Sequence, residues 1–397
     1  MRLSHDPGKT HASFDDRNLV SQAGLVPAMA LAGRAGLAAL VREHVSVGGP
    51  CGVNAELKVG CLVAGMAAGA DSIDDMDVLR HGAMPDLFGG VRAPPALGSF
   101  LRSFTGGNVR QLDAVARRFL AALAAGTPLL PGGEVLAFLD MDSMQKRVYG
   151  HAKQGAGFGH TRIQGKALLV RGLNALAAVI STPLAAPVVA ARLRGGSANS
   201  ARGAASLATE AISAARQGGC TGQLLFRIDS AYYSAAVLGA IRAGGAFFSV
   251  TVPLHRKVRA AIASIPEDSW KPVTYPRAVW DEDQARFISD AEVAEVPYTA
   301  FSSKKGQAIT ARLIVRRVRD LNRKAAAGQE ELFACWRYHA VFTDSPFEVI
   351  QAEGQHRDTP SSSRCSRTGT TARWLTCRQG TSRPTPPGSP APPSAAI

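Results

Sequence analysis

The chain has 397 residues, 46% of them hydrophobic, with a formal net charge of +14 at pH 7. That length can bury a substantial core and divide into two or three domains. No run reaches the roughly 18 unbroken apolar residues of a membrane span, so the excess of Lys and Arg points to a polyanion, nucleic acid before membrane.

The N-terminus, Met1 to Asp16, is polar and lacks the apolar stretch of a secretory signal, so a cytoplasmic protein is expected. The cysteines, Cys51, Cys61, Cys220, Cys335, Cys365 and Cys377, include no CxxC pair. Such usage fits a reducing compartment and argues against a zinc site.

Residues 1–130 read as a helical domain that grips DNA or, on the plainer view, supports the rest. Apolar residues recur with helical spacing over 19–32, 37–45, 57–70 and 109–125, with Asn108 as the cap of the last and Arg117 and Arg118 on its polar side. No spacing here defines a helix-turn-helix.

At Glu134 the period changes. Strands are expected over 135–139, 167–173, 185–191, 223–228 and 246–252, with helices over 204–216 and 232–242 stopped by Gly218-Gly219 and Gly244-Gly245. This alternation predicts an α/β sheet with helices on its faces across 131–252. Residues 253–330 read as a β-rich insertion, in which Lys304, Lys305, Arg312, Arg316, Arg317, Arg319, Arg323 and Lys324 form a basic face for phosphates; the plainer reading is a charged edge that discourages strand pairing. A strand over 332–343 returns to the sheet within 331–358. The tail 359–397 has no Asp or Glu, five Arg and seven Pro, and is expected to be disordered.

Three acids stand at predicted strand ends. Asp140 and Asp142 are two apart and share one strand face; either could hold a metal ion, the other supporting it. Asp229 ends the strand 223–228, where its plainer role is to cap the next helix. Carboxylates from neighbouring strands can hold a divalent cation, and a third lets them hold a pair about 4 Å apart. Oxygen ligands with retained waters suit Mg²⁺, with Mn²⁺ as an alternative.

The stretches LAFLDMDSMQKRVYGHAKQGAGFGHTRIQGK, ARLRGGSANSARGA, LLFRIDSAYYS and YHAVFTDSP, followed by EGQHRD, resemble the IS1380 family of DDE transposases. The resemblance implies a ribonuclease-H-like catalytic core with an N-terminal helical domain and an inserted β domain. It also implies bacterial, nucleoid-associated DNA cleavage and strand transfer at element ends, using three acids and Mg²⁺. The implied partners are double-stranded DNA, both terminal inverted repeats and target, on which the protein acts as a homo-oligomer. Carried over, the first acid lies in Asp140-Met141-Asp142-Ser143, with Asp142 favoured because it precedes the serine, and the second is Asp229. A ribonuclease or repair nuclease would fit the acids but not these wider motifs.

The family pattern continues after His356-Arg357-Asp358 roughly as HRDHAxxEQ on a helix, whereas this chain reads Thr359-Pro360-Ser361-Ser362-Ser363-Arg364-Cys365. Those seven residues can be encoded so that one C restored before them yields HAVVEQV, and the same shift gives family-like text through Pro390. A one-base deletion after the Asp358 codon is therefore the hypothesis. It would remove the third acid and impair catalysis; the alternative is a non-catalytic DNA-binding remnant.

Overall fold

In the computed structural model, the described residues are 16, 18–149, 153–163, 166–182, 188–273, 279–282, 286–288, 291–303, 305–319 and 336–357. The tail expectation therefore lies outside them, as do Lys304, Arg323, Lys324 and Asp358.

Six helices come first: α1 (Leu25–Arg34), α2 (Leu37–His44), α3 (Ala55–Ala67), α4 (Met84–Leu87), α5 (Pro94–Arg102) and α6 (Gly106–Gly126). Their apolar faces meet around Val41, Val59, Met76, Leu97 and Phe100, all at most 2% exposed. The cap of α6 is Thr105 rather than Asn108; Asn108 completes a capping box, its side chain accepting from the Thr105 amide at 2.9 Å. Among the described residues no single helix is long and apolar enough to cross a membrane.

The rest is built on β1 (Leu136–Arg147), β2 (Gly157–Ile163), β3 (Lys166–Ser181), β4 (Val188–Gly195), α7 (Ala204–Gln217), β5 (Gln223–Ile228), α8 (Ala235–Ala243), β6 (Phe247–Val252), α9 (Arg256–Ala263), β7 (Lys271–Val273), β8 (Val279–Asp281), β9 (Arg286–Ile288), β10 (Ala291–Ala300), β11 (Ile309–Arg319), β12 (Trp336–Thr343) and α10 (Val349–Arg357). One mixed sheet runs β2-β3-β1-β5-β6-β12-β11-β10-β7, with β4 also paired to β3, while β8 and β9 form a separate hairpin. The strands β1, β3 and β4 are antiparallel neighbours; β5 and β6 run parallel to β1. Strands of the 253–330 segment continue this same sheet through β12.

Alternation sorts the side chains. Leu139, Leu176, Phe226, Phe248 and Phe342 face α7 and α8 and are fully buried, each such side chain contributing about 1.5–3 kcal/mol. The opposite face carries Asp140, Asp142, Arg227, Ser249 and Thr251, and over β10 and β11 it is covered by α10, whose Val349 and Ala352 pack on Val293 and Ile314.

Two expectations change. The first strand does not end at Leu139: β1 runs through both acids to Arg147, because its partner β3 pairs with it from Ser181 down to Gly172. The basic string of β11 is not a phosphate-contacting face where it is described. Arg312 pairs with Glu295 at 2.9 Å and donates to the carbonyls of Ser345 and Phe347, and Arg316 meets Glu353 at 3.4 Å. Arg317 lies between the rings of Trp270 and Trp336, at 4.2 and 4.4 Å, and is bound by Glu267 and Glu292.

Candidate active site

Parallel register builds the site. Pairing of β1 with β5 places Asp140 opposite Arg227 and ends at Met141 opposite Ile228. One step further along the same face, Asp142, within β1 where its pairing with β5 stops, comes beside Asp229 at the carboxyl end of the parallel β5, the end at which α/β sheets bind ligands. The two acids named from the sequence are thus brought together, and Asp140 is drawn into a different task.

Asp140 is held by Arg227 in a two-bond fork, Nε to Oδ1 at 2.8 Å and Nη2 to Oδ2 at 2.7 Å. The guanidinium also stacks 4.1 Å from the Phe138 ring and donates to Ser181 Oγ and to the carbonyl of Gln355 on α10. Burial raises the Asp140 pKa, and Arg227 opposes that rise.

Asp229 is different. Its Oδ1 accepts from the Ala231 amide at 2.9 Å, capping a short 3₁₀ turn over Ser230–Tyr232; α8 begins later, with Ser234 as its own cap. Burial raises the Asp229 pKa, the Ala231 amide lowers it, and the charge of Asp142 raises it again. Asp142 accepts from the Ser143 amide at 2.6 Å. A carboxylate whose proton affinity is raised by a neighbouring carboxylate, as that of Asp229 is by Asp142, marks a place that a cation would relieve. Their oxygens fit a hard divalent ion such as Mg²⁺. Among the described residues, no group of three or more His, Cys, Asp or Glu is arranged to hold a metal.

Behind the pair lies the fully buried Tyr232, beside Ser143; burial and then the charges of Asp142 and Asp229 hold its phenol proton tightly, while Ser143 and Arg194 oppose this. Arg194 in turn bonds Asn174 Oδ1 and gathers the carbonyls of Asn199, Ser200 and Arg202 at 2.7–3.1 Å. Sequence reading missed Arg227, Tyr232 and Arg194. Arg227 had a signal: it sits two before Asp229 as Asp140 sits two before Asp142, which is the spacing of a same-face pair on parallel strands.

Glu353, the glutamate nearest to the missing position in sequence, is 4% exposed and lies between Arg316 and Arg357, at 3.4 and 3.6 Å. Its charge is matched by one arginine of β11 and one of its own helix. His356 sits over β6, its Nδ1 bonded to Ser249 Oγ at 2.9 Å and its Nε2 to Thr251 Oγ1 at 3.0 Å. Burial first, then Arg227 and Arg316, lower its pKa to about 4, so it is neutral at pH 7.

No curated protein sequence matches the chain. Among solved structures, the NurA nuclease from Sulfolobus solfataricus matches at 10% identity over 56% of this chain and 72% of that one, with a TM-score of 0.25, too low to carry an argument. A family model described as transposase DDE domain group 1 matches residues 5–323, most of the chain. The protein belongs to the IS1380-type DDE transposases, a family whose role is to cleave and transpose DNA.

Proposed function

We propose that this chain is a DNA transposase with a ribonuclease-H-like core, in which Asp142 and Asp229 are the first two acids of the catalytic set and the third has been lost to a one-base deletion after the Asp358 codon. The observation that carries the reading is the side-by-side placement of Asp142, where β1 leaves its pairing with β5, and Asp229, at the end of β5, with Asp140 turned to Arg227. The strand order β4-β3-β1-β5-β6, antiparallel on one side of β1 and parallel on the other, supports the core assignment. In this reading the helical domain spans 1–130, the core 131–252 and 331–358, and the β-rich segment 253–330.

A bound Mg²⁺ or Mn²⁺ would stabilise charge on a phosphoryl oxygen and make an attacking water or 3′-hydroxyl more acidic. The chain's own residues orient that site. Arg227 fixes the β1–β5 register through Asp140 and ties both to α10, and the Ala231 amide aims the Asp229 carboxylate. With two acids, one ion is held weakly and a pair about 4 Å apart is not.

The course of α10 supports the deletion. The helix crosses from β10 and β11 toward β5, where Arg227 reaches the Gln355 carbonyl. The restored frame reads HAVVEQV from position 359, placing glutamate at 363, seven residues after His356. Seven residues are two turns, so that side chain would share the sheet-facing side of His356, about 10 Å further on. Reading the coding DNA in three frames tests the deletion: the absence of a HAVVEQ-like reading after Asp358 would refute it. A Mg²⁺- or Mn²⁺-dependent cleavage assay of the frame-restored chain on element ends, with Asp229→Asn in that chain as control, separates a transposase that lost only its third acid from a non-catalytic DNA-binding remnant.

A further inference from the structure

Residues 143–209 contain nine Lys or Arg and no Asp or Glu. By contrast, the helical stretch 18–126 has nine basic and eight acidic residues and is nearly neutral. The positive charge expected to attract DNA is therefore concentrated beside the acid pair, in β1 beyond Asp142, in β2 to β4 and in the loop before α7, and not in the helices.

Register shows which of these side chains share the face of the acids. Asp142 lies opposite Ala177 on β3, Lys146 opposite Leu173, and the same side of β3 continues through Arg171 and Leu169. Across from these on β2 stand Phe158 and His160. Paired residues lie on one side of a sheet, so one face runs from Asp142 through Lys146 to Arg171, Phe158, His160 and Leu169. At its outer edge Phe158 is 61% exposed and Leu169 58%. An exposed aromatic ring beside arginine, lysine and histidine is the make-up of a surface on which unpaired bases stack while their phosphates are neutralised. The row of Arg171 and Phe158 lies six residues beyond Asp142 in register, about 20 Å along the strands; at 3.4 Å per nucleotide this corresponds to about six nucleotides.

We propose that this face, with Phe158 as its stacking residue and Lys146 and Arg171 as its phosphate contacts, holds the unpaired DNA strand that leaves the cleavage site. The proposal rests on the transposase reading for its substrate, but its test does not depend on catalysis. The full chain is titrated in EDTA, over a salt series, with a fluorescent duplex carrying about six unpaired nucleotides and with the blunt duplex of equal length. The wild-type chain binds the overhang more tightly; Phe158→Ala reduces that preference about tenfold, stacking being worth that much or more per base, and Phe158→Trp retains it. Lys146→Ala with Arg171→Ala lowers the log–log salt slope by about 1.5, because two phosphates are then no longer neutralised by the protein. Thermal melting checks that each variant folds. A wild-type chain without overhang preference, or folded variants with unchanged preference and slope, overturns the proposal. A frame-restored chain that binds as described but never cuts overturns the transposase reading and not this one.

Discussion

Substituting asparagine at each of the two β1 acids should move stability in opposite directions. In Asp140→Asn the Arg227 guanidinium, 4% exposed, loses its fork partner and stays buried. Breaking one side of such a pair costs about 3–5 kcal/mol, a large share of the roughly 5–15 kcal/mol that holds a folded protein. In Asp142→Asn a charge is removed from beside Asp229. Unit charges at close range repel by about 1 kcal/mol in water and by more where water is partly excluded, so this variant is as stable as the parent or more stable by on the order of 1 kcal/mol. The pH dependence follows. Asp229 has a raised pKa when folded, so ionising it weakens the fold as pH rises from the ordinary carboxylate range through that raised value; removing Asp142 lessens this loss. Divalent ion supplies the second readout. At a concentration ten times the dissociation constant, Mn²⁺ stabilises the parent by about 1.4 kcal/mol. Thermal unfolding with and without Mn²⁺ measures both quantities. The gain should vanish in Asp142→Asn and in Asp229→Asn and persist in Asp140→Asn. A Mn²⁺ gain that survives Asp142→Asn, or disappears only in Asp140→Asn, refutes the assignment.

His356 gives a second test. Its folded pKa of about 4 lies below the ordinary 6.5, so its contribution is complete above pH 6.5 and is lost as pH falls toward 4; between pH 7.5 and 4.5 the parent should lose about 2.5 kcal/mol more than His356→Gln in urea unfolding, and equal losses would contradict the buried, neutral ring. Arg317→Ala removes two desolvated cation–π contacts, with Trp270 and Trp336, and should cost about 3 kcal/mol in the same assay. It should leave the salt slope of DNA binding unchanged; a slope lowered by about 1 would restore the phosphate-contacting reading of β11.

Much of the sheet could be read from the sequence because apolar runs bounded by glycine pairs leave little freedom: the strand at Gln223–Ile228 and the helix starting at Ala204 lie where expected. The acids were legible as types and as a same-face pair, but not that Asp140 would lie opposite Arg227 and Asp142 beside Asp229, because register depends on tertiary pairing. The course of β1 past Leu139 was hidden because polar Asp140, Asp142 and Ser143 look like a strand end when the long partner β3 is unknown. The arginines of β11 misled for a related reason. Their carboxylate partners Glu267, Glu292 and Glu353 lie 25 to 50 residues away along the chain, on other elements, so a basic string in sequence became internal ion pairs in space.

The most direct test of the account restores one base after the Asp358 codon and compares the two proteins on DNA carrying the element ends, in Mg²⁺ and in Mn²⁺. The account predicts that the chain as it stands does not cut, that the restored chain cuts in a metal-dependent manner and melts at a higher temperature, and that Asp229→Asn abolishes cutting by the restored chain. Equal metal-dependent cleavage by both chains would contradict it, because the site would then have its third ligand among residues already present.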